Sequence, residues 1–408
     1  MGTSLICLLA TSISFSQVTF VRQTLDSGFG VFFVRSYDFD GDGDLDVLAG
    51  GEKELAWFEN KGGNPPRKHL ISNVQGLVWS IYPIDIDGDG DLDVATAEQD
   101  KMVWYENKGS GFSRTIFEHG YTFAESVGAA DFDEDGDVDI VGLRWGTDAE
   151  PEFAFAGLGV LSSWRNNGNQ KFTRHDIQPN FPNVHKLVLA DINEDGRVDI
   201  VVCGKNSESG LNWFENLSGA GFARHKISRD AGLSVAAADI NGDSNIDIVY
   251  CEPDEGRVVL FRGNGNGGFS RQVVASSLDW PVYPAVSDVN QDGKVDLVIA
   301  TKKHPSNHNL VWLENTGGTS FVKHVISTSI TKPFSVATAD LSGDGVPDVV
   351  AGSRFDGSVW WWKTAGVADQ TPPVISSVAV TGITMTSAVV NWSTDEPADG
   401  QVEYGLST

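Results

Sequence analysis

The sequence predicts an all-β fold, a seven-bladed β-propeller, on three observations. A nine-residue acidic motif occurs seven times at near-constant spacing, short apolar and aromatic runs of strand length flank each copy, and the two ends of the array complement each other. A period near ~50 residues built from β-type runs marks propeller blades or a solenoid.

The motif first stands as "DFDGDGDLD" at 38–46. It recurs as "DIDGDGDLD" (85–93), "DFDEDGDVD" (131–139), "DINEDGRVD" (191–199), "DINGDSNID" (239–247), "DVNQDGKVD" (288–296) and "DLSGDGVPD" (340–348). First-Asp spacings are 47, 46, 60, 48, 49 and 52 residues. A short apolar strand precedes each motif, as in "SVAAAD" (234–239), and another follows, as in "DIVYC" (247–251). An aromatic strand comes third: "AWFEN" (56–60), "VWYEN" (103–107), "NWFEN" (212–216), "VWLEN" (311–315). A glycine-rich turn leads to the fourth, as in "FSRTIF" (112–117) or "FARHKI" (222–227). Four short strands bounded by turn residues make one blade.

The ends predict closure. "FVRQTL" (20–25) is a fourth strand lying before the first motif, and the last repeat, through "SVWWWK" (358–363), has none after it. The N-terminal strand therefore completes the last blade, which removes the exposed sheet edges that invite aggregation.

The motifs carry 29 acidic residues, more than the whole net charge of −27. Unpaired, such runs repel and stay unfolded. In D-x-D-x-D-G-x-x-D, oxygens at positions 1, 3, 5 and 9 converge, and hard oxygen donors in that number suit Ca²⁺ at ~2.4 Å. Up to seven Ca²⁺ are expected. The ligands are Asp38, Asp40, Asp42 and Asp46; Asp85, Asp87, Asp89 and Asp93; Asp131, Asp133, Asp135 and Asp139; Asp191, Asn193, Asp195 and Asp199; Asp239, Asn241, Asp243 and Asp247; Asp288, Asn290, Asp292 and Asp296; and Asp340, Ser342, Asp344 and Asp348. Position 3 is Asp only in the first three, so binding should be strongest in blades 1–3. The fifth loop holds Ser244 where the turn favours glycine.

These residues resemble the FG-GAP, or VCBS-type, repeats of α-integrin-like seven-bladed propellers. The resemblance spans residues 18 to about 366. It implies the fold, while such propellers serve adhesins, lectins, lyases and lipases alike. The tail from 374 to 408, with Trp392, resembles the start of a fibronectin-III-like sandwich, which needs ~7 strands. The expected organisation is a signal peptide over 1–16, the propeller over 17–366, a linker over 367–373 and an incomplete sandwich over 374–408, a fragment of a larger protein. "MGTSLICLLATSISFSQ" supplies the signal peptide, with cleavage after Ser16; the competing reading of that run is a buried strand.

Composition narrows the partners. A net charge of −27 lacks the basic footprint that phosphate contacts require, so nucleic acid is excluded. No later segment is apolar and long enough to form a membrane-spanning helix. Cys203 and Cys251, each four residues past a motif, read as buried free thiols. A secreted or cell-surface location follows from the export signal, and a monomeric propeller is expected.

Ligand candidates are departures from the repeat on the face opposite the acid loops, since binding residues concentrate on loops held by a rigid scaffold. The third blade inserts "RWGTDAEPEFAFAGLGVLSS" (144–163) and the sixth "TKKHPSNHN" (301–309). The candidates are Trp79, Tyr121, Arg144, Trp145, His185, Trp280, Tyr283, Lys302, His304 and Arg354. Aromatic rings stack on sugar faces and anchor protein partners; Arg144, Lys205, Lys302 and Arg354, with Lys186 and Lys303, would add a basic rim suited to a uronate or sulfated glycan. Trp57, Trp104, Trp164, Trp213 and Trp312 repeat, as do His69, His175, His225 and His324, and are assigned to the blades themselves.

The leading reading is a non-catalytic module, stabilised by calcium, that binds glycan or extracellular protein. A polysaccharide lyase or other carbohydrate-active enzyme is the alternative, with Arg144, His185 and Tyr283 as its candidates. An architectural spacer is the second alternative. No G-x-S-x-G or H-E-x-x-H signature is present.

Overall fold

Seven four-stranded sheets form, each from strands adjacent in sequence but for one. The first is Val31–Tyr37, Asp46–Gly51, Glu54–Glu59 and Arg67–Asn73, paired antiparallel in that order. The exception is the seventh, in which Thr19–Ser27 pairs with Ser358–Ala365 beyond Asp348–Ser353 and Pro333–Ala339. The N-terminal strand thus completes the last blade as its sequence position predicts, and Arg22 lies 4.4 Å over the Trp360 ring.

This computed structural model describes residues 18–365 apart from 29, 63–64, 75, 122, 146–158, 303–309, 318–319, 331–332 and 356. It also describes the backbones of Leu5–Leu9, Ile375–Thr381, Val389–Thr394 and Gln401–Gly405. The chain divides into two units: the propeller, Phe20–Val289 with Gly293–Ala365, and a second comprising Met1–Thr19, Asn290–Asp292 and Gly366–Thr408. In the second, Leu5–Leu9 pairs with Gln401–Gly405 and Ile375–Thr381 with Val389–Thr394, all antiparallel. The expected cleavage site after Ser16 lies outside the described residues.

The second strand of each blade shows why its sequence is a continuous apolar run. Asp46–Gly51, Asp199–Gly204 and Asp247–Glu252 are buried at every position, because both faces of a blade pack on neighbours. Close stacking leaves no room at Gly50, where a Cβ would come within 2.6 Å of Val78 Cγ1. Cys203 and Cys251 are buried and free. Hydrophobic clusters form between blades; Val34, Val47 and Phe58 of the first join Leu341, Val350 and Trp361 of the seventh, closing the ring.

One repeat assignment, that of Trp164, shifts by one residue, while His175 keeps its place. Trp57, Trp213 and Trp312 pair with His69, His225 and His324 and stack on them at 4.4–4.5 Å between centroids. Trp164 instead pairs with Arg174, while His175 pairs with Ser163. Counted from the buried Asn that ends the strand (Asn166, Asn216), Trp164 matches Phe214 and so points to the other blade face.

Candidate functional site

Every acid loop is built on its ninth residue. Asp46 is fully buried, and its two carboxylate oxygens accept the Phe39 and Asn60 amides at 3.1 and 2.7 Å. The same pair of bonds recurs at Asp93, Asp139, Asp199, Asp247, Asp296 and Asp348. Position 9 therefore fixes the loop to the aromatic strand, and its remaining lone pairs are free for a cation. Asp38 then folds the tip: Oδ1 accepts Gly41 N at 2.9 Å and Oδ2 accepts Gly43 N at 3.1 Å. Gly43 has φ 98°, and Ser244 takes the equivalent left-handed conformation at φ 71°. The fifth loop thus keeps the turn at a cost that glycine avoids.

In the first three loops, carboxylate oxygens from Asp38, Asp40 and Asp42, from Asp85, Asp87 and Asp93, and from Asp131, Asp133 and Asp135 lie within 4.8 Å of one another. Burial, opposed by its two backbone bonds, pushes Asp46 up to about 7, and burial does the same to Asp139. Burial, then a hydrogen bond to Glu106, lifts Asp87 to about 6. Converging all-oxygen donors that resist ionisation without a countercharge fit a hard divalent cation.

Sequence reasoning missed a fifth contributor. The residue before the one whose amide bonds to the ninth Asp approaches the loop at position 3 or 5. It is Glu59, Glu106, Glu215 and Glu314 in blades 1, 2, 4 and 6, but Arg165, Arg262 and Lys363 in blades 3, 5 and 7. Arg165 lies 3.5 Å from Asp133 and Lys363 3.0 Å from Asp344. Burial would raise Asp344, but the Lys363 bond and further hydrogen bonds outweigh it and hold the group low. Arg197, at position 7 of the fourth loop, also pairs with Asp195.

The opposite face is organised by a backbone irregularity. In six of the seven inner strands the register with the second strand skips one residue: Phe32, Trp79, Glu125, His185, Tyr283 and Phe334. Five of these stand six residues before their loop's first Asp, and Tyr283 stands five before. Bulges re-aim side chains and cluster beside functional sites. Here they turn the most varied residues of the repeat toward one axial mouth. Phe32 packs on Trp79 at 4.7 Å and on Phe334 at 5.1 Å, giving an aromatic arc over three blades. Across the mouth His185 Nδ1 lies 3.3 Å from Glu125 Oε1.

A second ring surrounds the first, six residues past each loop's last Asp: Glu52, Gln99, Trp145, Lys205, Pro253, Lys302 and Arg354. The amides of Glu52, Gln99, Trp145, Lys205 and Lys302 bond to carbonyls leading into their own inner strands, which fixes the ring. Lys302 Nζ lies 3.9 Å from the Phe334 centroid and 4.6 Å from that of Tyr283. Lys205 sits over Trp280 at 4.7 Å, and Arg354 over Phe32 at 4.8 Å with an ion pair to Glu52. Trp145 Nε1 donates to Asn183 at 3.3 Å.

Trp79, Trp145, His185, Trp280, Tyr283, Lys302 and Arg354 therefore share the mouth. Tyr121 does not. It is fully buried, its hydroxyl bonded to Gly142 O at 3.1 Å and Ser162 at 3.3 Å, so it belongs to the core. Arg144, one position short of the outer ring, lies over Tyr121 at 5.5 Å. Lys186 is 5% exposed and lines the axial cavity, not the rim. His304, with Lys303, lies outside the described residues. Phe32, Glu125 and Phe334 were missed, although their common offset from the acid loops was readable.

A seven-bladed propeller with acid loops on one face defines the class. The FG-GAP-like repeat model matches residues 38–96, 85–142, 191–250, 239–299 and 288–351, and the chain belongs to that family. No curated protein matches. Among solved structures it is similar to a lectin of Agrocybe aegerita, described for specific recognition of non-reducing terminal N-acetylglucosamine. The identity is 18%, the TM-score 0.51 and the coverage 87% of each chain. It is also similar to the extracellular domain of a protein described as a one-component system from B. thetaiotaomicron, at 12% identity and TM-score 0.51. That match covers 84% of this chain and 39% of the other. At these identities the likeness is one of fold.

Proposed function

We propose that this chain is a calcium-stabilised, non-catalytic binding module that holds a glycan on the propeller face opposite the acid loops. The bulged ring carries this reading. Six strands of a regular scaffold break register, five at one level and the sixth one residue away, and the side chains so presented are four aromatics and a His–Glu pair. Rigid aromatic rings stack on sugar faces at low entropic cost. Lys205, Lys302 and Arg354 around them favour an acidic sugar over a neutral one.

Calcium acts at a distance, by making the acid loops foldable. Seven ions would add +14 to a net −27 and leave −13. Binding to a site that the unfolded chain lacks is folding energy. Sites of this kind fill outside the cell, where calcium is abundant, which supports a secreted or surface location. The lectin neighbour supports a glycan as ligand, and the neighbouring extracellular domain is consistent with export.

The His185–Glu125 pair and Tyr283 keep a lyase reading in view, although burial pushes the Tyr283 phenol up, away from use as a base. Electrophoresis in native gels cast with neutral or acidic polysaccharides, calcium present, tests the proposal. Retardation in the acidic gel is expected; none in any gel overturns glycan binding. Release of unsaturated sugar ends would establish the lyase instead.

A further inference from the structure

The inner strands enclose a cavity of about 350 Å³ on the propeller axis. Residues five before each loop's first Asp form one layer of its wall: Phe33, Ser80, Ser126, Lys186, Ser234, Tyr283 and Ser335. The four serines are committed to blade-to-blade bonds. Ser80 and Ser126 accept the Val127 and Leu187 amides at 3.3 Å, Ser234 accepts Tyr283 N at 2.7 Å, and Ser335 donates to Val34 O at 3.1 Å. Lys186 replaces the serine of the fourth blade. Its ammonium reaches the carbonyls of Trp79 and Glu125 at 2.9 and 2.8 Å.

Two residues closer to the acid loops, the layer is Arg35, Tyr82, Gly128, Val188, Ala236, Ala285 and Ala337. Small residues in five blades leave the room that the cavity occupies. Into it projects Arg35, whose guanidinium lies 4.9 Å over the Tyr82 ring. It makes no hydrogen bond or ion pair with any described residue. Among the described residues no Asp or Glu lines the cavity, in a chain with 56 acidic and 29 basic residues. Burial lowers both Arg35 and Lys186; Glu125 raises Lys186 in opposition, and Arg35 lowers it.

A guanidinium offers five donors in a planar fork and does not deprotonate, and half-buried Arg35 keeps them open to the cavity without a protein acceptor. Stacking on Tyr82 uses the face of the guanidinium and leaves its in-plane donors unused. Packing alone therefore does not account for an arginine here; alanine, which the fifth, sixth and seventh blades use, would suffice.

We propose that the axial cavity binds a small oxyanion, a carboxylate or sulfate group, held bidentately by the Arg35 guanidinium with the Lys186 ammonium as second charge. The bound anion ties the first blade to the fourth and, through the Lys186 carbonyl partners, to the second and third. The cavity shares Tyr283 with the mouth, but its anion is held by Arg35 and Lys186, so the site does not depend on glycan binding.

Thermal melting of the whole chain tests this, with calcium fixed and chloride balancing ionic strength. Acetate, sulfate and glucuronate are added separately, to separate a free small anion from the acid group of a sugar. The expected result is a saturable rise in Tm with at least one of them. In Arg35→Gln the half-saturating concentration should rise about tenfold or more, as lost bidentate pairing implies. Arg35→Lys keeps the charge but not the fork, and should also lose most of the response, which covers a failure of Arg35→Gln to fold. A flat response overturns the proposal. So does a linear, unsaturated rise shared by wild type and variants, the mark of general salt exclusion. An Arg35→Lys protein with the full wild-type response overturns the bidentate site.

Discussion

Lys363 Nζ lies 3.0 Å from Asp344 Oδ2, at the strand position where the first blade carries Glu59. A lysine at this place puts a positive charge beside the acid loop where the first blade puts a further carboxylate; on the proposed calcium reading it would stand in for part of the ion's charge. The calcium requirement should therefore fall not only along the array but with this residue: heaviest in blades 1 and 2, lighter in blades 3, 5 and 7.

Lys363→Gln should make the protein more dependent on calcium. Both partners are about a third exposed, so the pair is worth little. The fall in Tm on adding EDTA should grow by about 1–2 °C relative to wild type, and calcium should restore it. An unchanged EDTA effect, read by differential scanning calorimetry, would mean that Lys363 does not stand in for the ion.

The ninth Asp and the fifth Asp of a loop should behave differently. Asp46→Ala leaves the buried amides of Phe39 and Asn60 without acceptors and should cost about 2–5 kcal/mol even in saturating calcium. Asp42→Ala should weaken calcium binding but lose much less stability once calcium is in excess. Urea unfolding followed by tryptophan fluorescence separates the two; equal losses would mean that position 9 acts only through the metal.

Tyr121 and Trp79 should also separate. Tyr121→Phe removes a hydroxyl bonded to Gly142 O and Ser162 and should cost about 1–2 kcal/mol of stability with glycan retention intact. Trp79→Ala should weaken retention about tenfold and move Tm by about 2 °C or less. Loss of retention in the Tyr121 variant would return that residue to the binding face.

Lys302 predicts the pH dependence. Burial, with Lys186 repelling and Glu125 opposing, brings its ammonium down to about 7; the other groups facing it are the Tyr283 and Phe334 rings. A lowered lysine is charged below that value and neutral above it, and a bound anion shifts the transition upward. Retention of an acidic polysaccharide should be strong near pH 6 and fall about severalfold by pH 9, while Lys302→Arg stays flat. A wild-type profile as flat as the variant's would remove Lys302 from the site.

The fold was legible because it repeats. Seven acid motifs in one register set the blade count, and the unmatched strand at 20–25 announced closure. What escaped was set by backbone, not by composition. A bulge leaves no mark in a single strand, so Phe32 and Phe334 read as ordinary apolar strand residues. Trp164 was grouped with the other tryptophans because its insert obscured a one-residue offset, which its pairing with Arg174 and the count back from Asn166 both reveal. Tyr121 lies in a blade-to-blade loop, which marked it as exposed, yet its ring fills the space against Trp164 at 5.1 Å. The change from Glu59 to Lys363 stands in the sequence, but at a position beside the loop only in space, not in the motif.

The most direct test of the central claim compares three proteins in the acidic-polysaccharide gel with calcium present: wild type, Trp79→Ala on the bulged face, and Asp89→Asn in the second acid loop, each shown to be folded by circular dichroism. The account predicts that wild type and Asp89→Asn are retarded alike while Trp79→Ala runs nearly free. Retardation lost in folded Asp89→Asn and kept in Trp79→Ala would contradict it, placing the ligand on the acid loops and the calcium at the binding site.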